Sequence, residues 1–128
     1  MGARLPGVLL LMAAACGDTG GDTAAPGDCD RDPPLSYDNF GQQFMDTHCA
    51  GCHSSLLPEP LRNGAPLGVD LDTYAGVVQW VDRIEARSVG DDADMPPGGG
   101  PSDEERARLA EWLRCAVRPD HDALQEPP

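Results

Sequence analysis

The run Cys49-Ala50-Gly51-Cys52-His53 restricts what this 128-residue chain can fold into more than any other feature. Two thiols two residues apart, with an imidazole directly behind them, must share one short turn, and whatever they hold must sit beside it. Zinc takes four ligands, and no second cluster accompanies this one. Cys29 and Cys115 stand apart in sequence, and His48 and His121 do not form a spaced pair. A dithiol redox motif follows a strand and opens a helix, whereas here helical periodicity precedes Cys49 and a proline-rich stretch follows His53. An iron–sulfur cluster takes four cysteines, commonly in a tighter group. Cys-x-x-Cys-His is the spacing of covalent c-type haem attachment. The two thiols add across two vinyl groups on one porphyrin edge, and the histidine then lies under the ring, where a nitrogen binds iron.

Composition points the same way. The chain carries two Trp, two Tyr and two Phe against 15 Gly and 13 Pro. That is poor material for a self-sufficient apolar core, and domains of this size often need a disulfide, a metal or a cofactor as a staple. Something other than side chains is expected to fill the middle. The net charge is −13, and all nine basic residues are arginine. Such a surface repels phosphate backbones and argues against a nucleic-acid partner. It steers the chain toward basic partners instead, although a run of charge is usually a solvated face.

Residues 1–15 resemble an export signal. One arginine precedes an apolar run centred on Leu9, Leu10, Leu11 and Met12, which is too short to span a bilayer. Cys16 directly after three alanines resembles the lipidated cysteine of bacterial lipoproteins, with Ala13 where leucine is usual. Ordinary cleavage, leaving Cys16 as a thiol, is the alternative. Acylation there implies stable anchoring to a membrane face. Residues 16–35 read as a flexible acidic tether: Gly17 to Pro34 shows no periodicity and would span roughly 20–25 Å as a random coil.

Residues 36–119 hold three helical patterns. Tyr37, Phe40, Phe44 and His48 share one face between Ser36 and His48. Asp72 is the expected cap of a second helix from Thr73 to about Val89, with Tyr74, Val77, Val78, Val81 and Ile84 as its apolar face. Ser102 and Glu105 make a capping box for a third helix. Its stripe is Leu109, Trp112, Leu113 and Ala116, and Pro119 is expected to stop it. Residues 120–128 are expected to form a polar tail. No strand pattern or internal repeat appears, so the fold class is all-α with long loops.

From about Tyr37 to Pro119 the chain resembles a small class I c-type cytochrome. In that family a glycine-bearing helix leads into the attachment motif, and Gly41, eight residues before Cys49, matches its position. An aromatic usually stands four residues before the first cysteine; here that residue is Met45, with Phe44 one earlier. The family's last helix crosses the first near the glycine through an aromatic contact, for which Trp112 is the candidate. The resemblance implies a helical domain wrapped around one covalent haem, with Cys49 and Cys52 as thioether residues and His53 as proximal ligand.

Met95 is the expected second axial ligand. Family members commonly present a methionine from a Met-Pro loop, and Pro96 and Pro97 follow Met95 here. A thioether binds haem iron without deprotonation and raises its potential, while Pro96 limits the backbone of Met95. Met45, inside the first helix, reads as a core filler. His48 reads as an ordinary helix-end residue and His121 as solvated; core packing is the expectation for Tyr74, Trp80 and Trp112. Cys29 and Cys115 remain, and outside the cytoplasm such a pair is expected to be a disulfide.

Taken together, the expected function is single-electron transfer by a lipid-anchored, monomeric protein, not an enzyme, on the periplasmic side of a bacterial membrane. Redox proteins with basic docking surfaces are its expected partners. A five-coordinate haem sensor or minor peroxidase with Met95 unbound, and a non-haem lipoprotein with a structural disulfide or zinc site, remain as alternatives.

Overall fold

The computed structural model describes residue 2 and residues 29–127. Apart from residue 2, the expected export signal lies outside the described residues, as do Cys16 and most of the expected tether. Among the described residues there is no strand, and the fold is all-α. No helix there is long and apolar enough to cross a membrane.

Helix α1, Gln42–His48, continues from a wider π-helical turn, Tyr37–Gly41. Ser36 starts the turn with a capping box: its hydroxyl accepts from Asn39 N–H, and its own N–H donates to the Asn39 side chain at 2.7 Å. Phe40, Phe44 and Met45 are buried on the inner face. The single second helix expected from the periodicity is two helices, α2 at Tyr74–Gln79 and α3 at Val81–Ser88, broken at Trp80 (φ −105°, ψ 15°). The apolar spacing runs through the break, and Val77, Val78, Val81 and Ile84 are all buried. The cap also differs from expectation. The Thr73 hydroxyl accepts from Gly76 N–H, while Asp72 is engaged by Ser54 and Ser55.

Helix α4, Asp103–Trp112, begins at the expected Ser102–Glu105 capping box. The chain does not stop at Pro119. It passes through a π-helical turn, Leu113–Val117, into α5, Arg118–Gln125. Proline is tolerated in the first turn of a helix, where its missing N–H costs least, and the widened turn before it loosens the register its ring would otherwise obstruct. Thus residues 118–125, expected as the end of a helix and a tail, form a helix against α2. Tyr74 donates from its hydroxyl to Asp120 at 2.6 Å, and Arg118 bridges Asp82 and Glu85 on α3.

The crossing of the first and last helical stretches depends on one missing methylene. A Cβ on Gly41 would sit 2.3 Å from the Trp112 ring, which is completely buried. Only glycine admits the indole at that distance. Tyr37, Phe40 and Tyr74 surround the same ring, with centroids 6.0–6.4 Å away. Cys29 and Cys115 are joined by a disulfide with Cα atoms 5.6 Å apart. Arg31 adds a two-pronged pair to the buried Glu111 at 2.7 and 2.8 Å, and its hydrogen bond holds that carboxyl below the usual range. The segment entering the domain is therefore tied to the last helical stretch twice.

Candidate functional site

The attachment motif forms a tight turn at the end of α1. Cys49 N–H and Ala50 N–H both donate to the Met45 carbonyl, at 2.9 and 2.8 Å, and His53 N–H donates to the Cys49 carbonyl at 2.9 Å. The turn brings Cys49, Cys52 and His53 to the wall of a cavity of about 220 Å³. Both thiols are free and half-buried, and burial pushes the Cys49 thiol up to about 12. Val69, Leu71, Trp80 and Ile84 give the cavity apolar walls, and the exposed Arg83 and Arg87 also line it.

His53 is oriented from both ends. Its carbonyl accepts from Leu71 N–H at 2.7 Å, and its ring Nδ1 lies 3.0 Å from the Val69 carbonyl. A carbonyl only accepts, so Nδ1 carries a proton; in the neutral ring this leaves the lone pair on Nε2, the tautomer a metal-binding imidazole needs. The loop supplying Val69 is built around Arg62, whose side chain is 1% exposed. Its guanidinium donates to the carbonyls of Ser54, Ala65, Pro66 and Val69 at 2.5–3.2 Å, and Asp70 faces it at 2.9 Å.

Asp72 ties the other end of this loop to the motif, accepting from both hydroxyls of Ser54 and Ser55 and from Ser55 N–H. Desolvation alone would raise its carboxyl, but the hydrogen bonds from Ser55 and Ser54 outweigh it and hold the group below the usual aspartate range. Gly76 permits α2 to rest on this loop, since a Cβ there would lie 2.1 Å from the Asp70 carbonyl oxygen.

Met95 and Pro96 line the same cavity from the loop between α3 and α4. Met95 N–H donates to the Arg87 carbonyl at 2.8 Å, and its carbonyl accepts from Arg106 at 3.0 Å. Arg106 also donates to the Ser88 carbonyl, and Arg87 pairs through both prongs with Asp94. The Met95–Pro96 bond is cis. The structure thus brings Cys49, Cys52, His53 and Met95 to one cavity.

The other chemistry-bearing residues fall elsewhere or at its edge. His48 also lines the cavity but its ring packs at a tilt against Phe44, centroids 4.8 Å apart, and faces Glu105 at 3.5 Å. His121 is in α5 beside Asp122. Of the large aromatics, Trp80 lines the cavity, its indole N–H donating to the Gly68 carbonyl. Tyr74 and Trp112 pack together away from it. Met45 is completely buried in the core. Sequence reasoning missed Arg62. An arginine in a loop is ordinarily exposed, and its partners are backbone carbonyls, which leave no mark in side-chain spacing.

Among the described residues no three His, Cys, Asp or Glu side chains gather as a metal site. An attached haem needs only what lines the cavity: two free thiols, an imidazole with a free nitrogen, a thioether and apolar walls. The residues fit that group. Comparison of the chain with protein-family models, curated proteins and solved structures returns no match.

Proposed function

We propose that this protein is a one-electron carrier with a single covalently attached c-type haem, built on a cytochrome c-like fold. The observation that supports this most directly is the convergence of Cys49, Cys52, His53 and Met95 on one apolar cavity. Cys49 and Cys52 would hold the group through two thioether bonds. His53, with a proton on Nδ1 toward Val69, would offer Nε2 to the metal, and Met95 would offer its thioether. When bound, the haem would supply a metal centre that takes up and releases one electron at a time. With both His53 and Met95 holding the metal, the chain would leave no position for a substrate, which would suit a carrier and not a catalyst. The apolar walls and the methionine sulfur favour the reduced state.

The acidic surface, −13 overall, would steer basic redox partners toward the protein. The export signal and Cys16 place its work, on this reading, at a lipid anchor on the periplasmic side of a bacterial membrane, as a monomer. A visible spectrum of the exported protein, oxidised and reduced, tests the assignment. It should show a low-spin haem with the near-infrared methionine–iron charge-transfer band. Met95→Ala should keep the colour and lose that band. A coloured wild type without the band would favour the five-coordinate sensor or peroxidase.

A further inference from the structure

Arg62 is a buried cation that the electron-carrier reading does not use. Its guanidinium is enclosed by the loop that follows the attachment motif, and four of its contacts are to backbone carbonyls. One of these carbonyls is shared. The Val69 oxygen accepts from Arg62 Nη2 at 3.0 Å and from His53 Nδ1 at 3.0 Å. A carbonyl has two lone pairs, so these donors use its full capacity. At the same Nη2, Asp70 Oδ1 stands 2.9 Å away as the counter-charge. Asp70 is partly open to solvent, whereas Arg62 is closed off.

We infer that Arg62 is a positioning residue for His53, acting through the Val69 carbonyl, and that the Arg62–Asp70 couple sets how strongly the bound group holds its electron; the inference rests on the haem reading above. The physical reason has two parts of one sign. A carbonyl already accepting from a cation has less electron density to offer a second donor, so the His53 N–H bond is weaker than it would be alone. His53 then has less imidazolate character and supports the oxidised metal less well. The buried positive charge also favours the state with one more electron. Asp70 opposes both effects by drawing the guanidinium's charge toward itself.

The couple provides a test that a scaffold role would not pass. Reduction potentials of wild type, Arg62→Met and Asp70→Asn should be measured on the haem-loaded full chain, together with exchange of the His53 Nδ1 proton. Arg62→Met should shift the potential downward and Asp70→Asn upward. The Nδ1 proton should exchange more slowly in Arg62→Met, because its acceptor is no longer shared. If Arg62 merely holds the loop together, both variants loosen the same loop, the potentials move in one direction and exchange accelerates. That result, or potentials unchanged in both, overturns the inference. Should Arg62→Met fail to fold, Asp70→Asn decides alone: a rise supports the role, and a fall or no change overturns it. A colourless wild type overturns the haem reading and this inference with it; a coloured wild type with the wrong shifts overturns only this one.

Discussion

The loop from His53 to Asp72 and the loop from Val89 to Pro101 both line the cavity, but their polar contacts are placed differently with respect to water. In the first, a 1%-exposed arginine is wrapped by the backbone it bonds, and Asp72 ties Ser54 and Ser55 to the start of α2. In the second, the side-chain pair is Arg87–Asp94, with both partners about half exposed, and three successive glycines at 98–100 all have positive φ. Arg106 anchors that loop from a partly buried position. Buried groups held by several hydrogen bonds keep geometry against solvent, whereas exposed pairs are screened and contribute little. The His53 side is therefore organised by the chain itself, and the Met95 side is free to adjust to what it binds.

The largest way to break this contrast is Arg62→Met. It strands several buried carbonyls and leaves Asp70 without its cation, and a loss of about 3 kcal/mol in denaturant unfolding is expected. A loss below about 1 kcal/mol would mean that the loop is not organised around Arg62. Met95→Ala should be milder: the protein stays folded and coloured, and the change is confined to the methionine–iron band.

Acid sharpens the contrast further. The Asp72 carboxyl has a lower pKa folded than unfolded, so the folded state binds fewer protons in that window. Its stabilisation is present above the ordinary aspartate pKa and is lost as pH falls through the depressed folded value. Unfolding followed against pH should show that acid-side loss in wild type, and Asp72→Asn should flatten it. The smallest effect belongs to Asp94→Asn, which removes an exposed partner of Arg87 while Arg106 still holds the Met95 carbonyl. Its midpoint of unfolding should match wild type, and a clear drop would show that the outer loop is stiffer than its contacts imply.

Much of the scaffold was legible because it is written in side chains at regular spacing. Phe40 and Phe44, the Val77–Ile84 face, and Leu109 with Trp112 all become core. Ser102 and Glu105 cap as a pair, and Gly41 meets Trp112. What escaped depends on backbone geometry. The break at Trp80 leaves the apolar period intact, so nothing in the pattern announces it. Thr73 and Asp72 are both good caps, and the choice between them is made by Ser54 and Ser55, eighteen and seventeen residues upstream of Asp72. Pro119 was misjudged because a π-helical turn lets the helix restart there. Arg62 was invisible because its partners are carbonyls. At the site, Cys49, Cys52, His53 and Met95 could be named from motif and loop chemistry, while the network that orients His53 could not.

The most direct test of the central claim is the intact mass of the denatured, reduced and alkylated mature chain, produced in a host able to attach haem. The account predicts a mass increased by one haem, with Cys49 and Cys52 resistant to alkylation. A bare polypeptide mass, with both thiols alkylated, would contradict it.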